Sequence, residues 1–274
     1  QATLFFESQS AVEQAHIVIA FRFELSKCTV PAVRERVVSM LQNVSADLAK
    51  GVAQGLGMPL PAPMPRALAR TPRPEVKRSA SLSLLARPGD GGIRTRKVAV
   101  LVADGIDGRS VARVQSALRA AGAVPRLVGV RIGPFKTSTG DEMQADASME
   151  NEPAVLFDAL VLPDGAAGVK ALLKVGQTLE FVKDTYRHCK AILAIGESRA
   201  LLQAAGTPMS LPGGVPDPGI VLGNFKSIGR DVQDFIKAVA RHRHPERDSD
   251  PPRVQAAAPD VSRRQGSRRR IRRQ

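Results

Sequence analysis

The 274-residue sequence predicts an α/β domain with a doubly wound, mainly parallel sheet, preceded by a small all-helical segment. Three observations support this. From residue 96 onward, short continuous apolar runs alternate with amphipathic helical patterns, which is how strands buried on both faces read. Before residue 58 the apolar residues recur only at helical spacing. Between the two lies a stretch broken by Pro59, Pro61, Pro63, Pro65, Pro72, Pro74 and Pro88, which fits neither pattern.

The helical segment covers residues 1–57. Ser10-Ala11-Val12-Glu13 is a capping box, in which hydroxyl and carboxylate each accept a free backbone N–H of the other residue. Val12, Ala15, Ile19 and Phe23 then form an apolar stripe. Pro31 suits a first helical turn, and Val33, Val37 and Leu41 line that helix. Ser45 opens a third helix through Leu48, Val52 and Leu56, which Gly57 can close. Three helices of this size bury little alone, so they are expected to lie against something larger. Residues 58–95 read as a Pro-rich basic linker, with Gly89-Asp90-Gly91-Gly92 near its end.

The α/β region runs from 96 to 245. Lys97–Ala103 is a buried strand, Arg109–Ala121 an amphipathic helix, and Val124–Val130 the next strand. A polar hairpin turns at Thr139-Gly140-Asp141. Strand Ala159–Pro163 precedes two helical stretches, one through Val169 and Leu172, the other through Leu179 and Val182. Strand Ala191–Ile195, helix Ser198–Ala205, a short strand in Gly219-Ile220-Val221-Leu222-Gly223 and helix Ile228–Ala240 complete it. The pattern is that of a flavodoxin-like domain, where ligands sit at the carboxyl ends of the strands. Residues 246–274 read as a disordered Arg-rich tail.

Composition narrows the class. Hydrophobic content of 43% supports a real core, and aromatic content of 4% makes the packing aliphatic. No apolar run is long enough to span a membrane, so no membrane partner is expected. The amino terminus lacks the pattern of a signal peptide and lacks Met, so the chain reads as cut from a longer one. Cys28 and Cys189 fit no metal or redox spacing and suit a reducing, cytoplasmic setting. The net charge of +14 is localised: residues 58–97 hold nine Lys/Arg and two Asp/Glu, and residues 241–274 hold eleven and four. The remainder sums to about zero, which places the basicity in the least structured parts and not on a folded face. An arginine-rich tail (Arg263, Arg264, Arg268, Arg269, Arg270, Arg272, Arg273) could contact nucleic acid nonspecifically, but charge runs of this kind usually stay solvated.

The expected strand ends carry Asp104-Gly105-Ile106-Asp107-Gly108, Pro163-Asp164-Gly165 and Gly196-Glu197-Ser198. Asp104, Asp107, Asp164 and Glu197 together could form an acidic pocket for a hard cation. Their spacing matches no dedicated metal motif, and Asp and Gly suit such turns anyway, so no metal site is assigned. Gly105–Gly108 is too short for a dinucleotide fingerprint. Gly196 to Ala200 reads G-x-S-x-A, close to the nucleophile elbow of serine hydrolases. A serine nucleophile needs a base in reach, and His16, His188, His242 and His244 all fall elsewhere. Ser198 and Glu197 are therefore expected to cap the following helix. Cys189 precedes a buried strand and reads as a buried structural thiol, with His188 packing or hydrogen-bonding beside it. Tyr186, the only tyrosine, reads as structural.

Two separate stretches carry a resemblance. QATLFFESQSAVEQAHIVIAFRFELSKC and VPAVRERVVSMLQNV resemble the final helices of the haem-catalase core. RKVAVLVADGIDGRSV, LVLPDGAAG and FVKDTYRHCKAILAIGE resemble the C-terminal domain of large-subunit catalases. The resemblance covers about residues 1–245. It implies a parent that disproportionates hydrogen peroxide, binds haem and assembles as a homotetramer with the rest of its chain. It also implies that the haem ligand and distal residues lie upstream, so this chain alone holds no cofactor and no catalytic residue. The C-terminal domain further resembles the class I glutamine amidotransferase-like superfamily. There Gly196 stands at the nucleophilic Cys position, Glu197 at the following His position, and Asp107 where an acidic partner falls. The elbow is thus degenerate. A structural and assembly role in a catalase is the reading that follows; a chaperone-like or small-molecule-binding module is the alternative from the superfamily, and a hydrolase using Ser198 would be labelled by a fluorophosphonate.

Overall fold

The computed structural model describes residues 1–68, 74–86 and 91–248. Pro72, Pro88, Gly89 and the arginines from Arg263 to Arg273 lie outside the described residues. The chain divides into two units, Gln1–Gly92 and Ile93 onward.

Among the described residues the first unit has four α-helices, α1 (Ala2–Ser8), α2 (Ala11–Ser26), α3 (Pro31–Leu41) and α4 (Ala46–Gly55). The first was not expected: it is short and has no side-chain cap to announce it. The other three start where their caps predict. Ser10 and Glu13 form both halves of the capping box, and Gly57 (φ +65°) ends α4 with Met58 N–H donating to Ala53 O. Phe6, Leu25, Val38, Leu41, Leu48 and Val52 form the core.

The face that α2 buries differs from the predicted stripe. Ile19 and Phe23 are 45% and 61% exposed, while Ile17, Val18, Phe21 and Leu25 turn inward. The cause is a smooth groove on α4. A Cβ at Gly51 would lie 3.0 Å from Val18, and one at Gly55 would overlap Arg22. Close approach at these glycines lets Arg22 Nε donate to Gly51 O at 3.0 Å. Helical spacing identifies apolar faces, but α2 has more than one, and the partner's small residues select among them.

The expected linker, where described, lies back against these helices. A proline-rich stretch offers carbonyls and few N–H groups, and α3 and the turn after it supply donors to them. Ser39 Oγ donates to Ala62 O at 2.7 Å and Asn43 Nδ2 to Met64 O at 2.7 Å. Further on, Glu13 holds residues 83–85: its carboxylate accepts Ser83 Oγ at 2.7 Å and the N–H groups of Leu84 and Leu85 at 2.8 and 3.2 Å.

The second unit is the doubly wound sheet. Strands β1 (Lys97–Leu101), β2 (Val124–Gly129), β5 (Ala147–Ser148), β6 (Ala159–Leu162), β7 (Ala191–Ile195) and β8 (Ile220–Gly223) lie in the order β5-β2-β1-β6-β7-β8. All pairs are parallel. The hairpin β3 (Gly133–Lys136) and β4 (Glu142–Ala145) forms separately, around the predicted turn. The two-residue β5 was too short to carry a pattern. Helices α5 (Gly108–Ala120) and α9 (Ile228–Ala240) pack together on one face, while α6 (Ala166–Leu172), α7 (Gly176–Arg187) and α8 (Arg199–Ala204) lie on the other. The central strands are buried on both sides, each large aliphatic side chain contributing about 1.5–3 kcal/mol. Before β6, Asp158 accepts Lys97 N–H at 2.9 Å and pairs with Arg96 at 3.3 Å. The same carboxylate lies 4.0 Å from His242 Nε2, just past α9.

Burial pushes the Glu13 carboxyl up, but hydrogen bonds from Ser83 and from the Ser10 and Leu85 N–H groups outweigh it and hold the pKa at about 2. A carboxyl held low stabilises above its unfolded value, and that contribution fades as pH falls from about 4.5 toward about 2. Glu13→Gln is expected to cost about 1–3 kcal/mol. It should also speed hydrogen exchange at Leu84 and Leu85 at neutral pH, while Val52 in α4 stays protected. Unchanged exchange at both amides would show that the carboxylate does not hold this segment.

Candidate functional site

The three expected strand-end turns close on one another. Gly105 N–H donates to Lys136 O at 2.7 Å, and Ser138 N–H to Ile106 O at 2.8 Å, so the hairpin is tied across the end of β1. Asp107 N–H donates to Asp164 O at 2.8 Å, joining the ends of β1 and β6. Glu197 N–H donates to Asp164 Oδ1 at 3.1 Å, joining β6 to β7. Gly165 (φ +125°) permits this closeness: a Cβ there would stand 2.6 Å from Asp107 N and 2.7 Å from Gly105 O. The crevice where the strand order reverses, between β1 and β6, is occupied by the protein's own turns.

Three of the four acidic side chains serve these turns. Asp104 Oδ1 accepts Lys136 N–H at 2.8 Å. Asp107 caps α5, accepting Arg109 N–H at 3.2 Å, with Arg109 Nε 3.5 Å away. Asp164 Oδ1 also accepts Gly165 N–H at 2.8 Å, and Glu197 is exposed. Among the described residues, no three His, Cys, Asp or Glu side chains gather as a metal would need.

Gly196 sits at φ +58°, the left-handed conformation of an elbow. A Cβ there would overlap the Asp164 carboxylate. The position lacks a nucleophile, and its neighbour already fills the space one would need. Ser198 does not cap α8, contrary to the sequence expectation. It is fully buried and reaches backward, accepting Ile195 N–H at 2.8 Å with Leu162 O 2.7 Å away as acceptor. The hydroxyl thus ties β7 to β6. Glu197 makes its contact through its backbone N–H. The helix-cap expectation missed this because a hydroxyl two residues past a strand can serve the strand instead.

A second polar cluster, unforeseen in the sequence, lies at the amino edge. The chain after α9 folds back, and residues 246–248 are not part of a tail: Arg247 is buried in an ion pair with Asp217. Arg247 Nε is 2.6 Å from Asp217 Oδ2 and Nη2 3.1 Å from Oδ1. Nη1 donates to Lys190 O at 2.7 Å, and the guanidinium stacks 4.5 Å from the Tyr186 ring. A Cβ at Gly219 would overlap both Arg247 and the buried His244 ring. Cys189 is buried, its thiol pushed up to about 12 by burial and by Asp248, whose Oδ1 lies 3.3 Å from Sγ. His188, expected to pack there, is exposed. Lys190 is buried, donating to Ala154 O at 2.8 Å, and burial lowers its pKa to about 8. Single charged residues at spacings of tens of positions give no sequence signal for such a cluster.

Tyr186 also tests the fit of haem. Burial raises its pKa, as does Asp217. A tyrosinate ligand needs the opposite, and Arg247 covers the ring. These residues do not fit an axial haem site.

On α5, Arg109 and Arg113 hold their guanidiniums 5.0 and 4.9 Å from the Phe225 ring centroid.

Comparison with known proteins gives two family matches. The family described as "C-terminal domain found in long catalases" matches residues 94–249, and "Catalase-related immune-responsive" matches residues 1–56. Similar relatives include Catalase HPII of Pseudomonas aeruginosa, 37% identical across 89% of this chain and 32% of that protein. Catalase HPII of Pseudomonas putida is 36% identical across 91% of this chain and 33% of its own length. Catalase-2 of Bacillus subtilis is 34% identical across 89% and 33%. The chain spans about a third of the length of these relatives.

Gly196→Ala is expected to destabilise the second unit by about 2–4 kcal/mol, from left-handed backbone and the collision with Asp164. In chemical denaturation, Gly196→Ala combined with Asp164→Ala should cost less than the two single changes added together, and strict additivity would show that the two do not meet. Arg247→Met leaves Asp217 buried and unpaired, and is expected to cost about 3–5 kcal/mol in the same measurement.

Proposed function

We infer that this chain, which belongs to the family of C-terminal domains found in long catalases, is the C-terminal part of an enzyme that disproportionates hydrogen peroxide to water and oxygen. Its own role there is structure and assembly. The carrying observation is the pairing of two catalase-related matches in one chain, each on one of its two units and in the order expected.

The geometry supports the division of labour. The elbow position holds Gly196 against Asp164, the serine beside it binds backbone, and Tyr186 is unsuited to ligate iron. Peroxide chemistry and haem therefore belong to the remainder of the catalase chain. The outward face of α2, with Ile19 and Phe23, is an apolar surface suited to that remainder. We place the whole in a homotetramer in the cytoplasm. Two unpaired thiols, Cys28 and Cys189, agree with a reducing compartment. Among the described residues no helix is long and apolar enough to cross a membrane.

The purified chain, mixed with haem, is expected to show no Soret band and no oxygen evolution from peroxide. The gene is expected to encode a β-barrel haem region directly upstream, and the longer product should show both signals. Oxygen evolution by this chain alone, or a gene that encodes no haem region upstream of these residues, would overturn the reading.

A further inference from the structure

We propose that the surface built by Arg109, Arg113, Phe225, Lys226 and Arg230 docks the phosphate backbone of a nucleic acid. Arg109 and Arg113 lie four residues apart on α5, which sets their side chains on one face. Both guanidiniums rest near one Phe225 ring, at 5.0 and 4.9 Å from its centroid. The ring's negative face attracts cations, so two long side chains are held in place instead of sampling solvent. Lys226 follows Phe225, and Arg230 lies in the first turn of α9, which packs beside α5.

Two nearby carboxylates, Asp107 and Asp231, are largely buried and lie 3.5 Å from Arg109 and 3.9 Å from Arg230, while Asp234, one turn beyond Arg230, is 48% exposed and pairs with Lys237. Asp107 is occupied at the α5 cap, its side chain 13% exposed. Asp231, 8% exposed, accepts Ser227 Oγ at 2.6 Å and Asn224 N–H at 3.1 Å. The balance stays positive, four cations (Arg109, Arg113, Lys226 and Arg230) against Asp107 and Asp231, and the Arg109 and Arg230 side chains are 71% and 78% exposed. Residues 108–140 hold six Lys/Arg and no Asp/Glu, so no carboxylate on α5 or the strand after it offsets them.

The occupant follows from the chemistry. A protein partner needs an apolar anchor at the centre of its interface, and here the one aromatic ring already carries two guanidiniums. Nucleic-acid interfaces are more polar and far more positive, and the planar fork of Arg fits phosphate oxygens. No base-reading element accompanies the patch, so binding is independent of sequence and sensitive to salt.

The test uses the full chain and a labelled oligothymidylate of about 20 nucleotides, followed by fluorescence anisotropy over a salt series. The intact chain is expected to bind at low salt. Arg109→Gln with Arg113→Gln should weaken binding about tenfold and flatten the log–log salt slope by about 1.4. Phe225→Leu, which keeps the apolar contact but loses the ring, should weaken it about threefold. Arg36→Gln with Lys50→Gln, the same charge removed from the first unit, should leave binding within twofold. No binding by the intact chain, or equal loss in both double variants, would overturn the proposal. So would polyglutamate competing as well as the oligonucleotide, which would assign the face to an acidic protein segment.

Discussion

The second unit is governed by one requirement: backbone donors and acceptors buried at the strand ends must find partners. In many doubly wound sheets a ligand at the carboxyl edge takes part in meeting it. Here the turns do so among themselves. Asp164 O takes the Asp107 N–H, Asp164 Oδ1 takes the Glu197 N–H, and the Ser198 hydroxyl bridges β6 and β7. Glycines at 105, 165 and 196, all at positive φ, give the backbones room to approach. At this edge Asp104, Asp107 and Asp164 all hold backbone groups, and Glu197 remains exposed.

Much of the fold was legible in the sequence because strand burial on two faces leaves a continuous apolar run, as in Ala191–Ile195. Caps were legible too, since a capping box such as Ser10 with Glu13 is local in sequence. What was not legible depends on contact between distant residues. The inward face of α2 is chosen by Gly51 and Gly55 on another helix. The partner of Arg247 is thirty positions away, and nothing at either position announces the pair. The elbow was readable as a turn lacking its nucleophile, but that Asp164 fills the gap required coordinates.

Charge behaves similarly. Summed along the chain, the folded part is close to neutral. Locally the signs are arranged: Asp107 and Asp231 turn inward to serve backbone and hydroxyl donors, while Arg109 and Arg230 remain outside. A carboxylate used as a cap loses much of its reach into solvent. Glu13 shows the same economy in the first unit, where one side chain serves both a helix start and a returning segment.

Asp158 joins the segment entering β1, through Arg96 and Lys97, to the segment leaving α9, at His242. The fold runs on beyond it, since Arg247 is buried against Asp217. One carboxylate therefore clasps two segments more than a hundred positions apart, so the first strand of the sheet and helix α9 share a fastening at one edge.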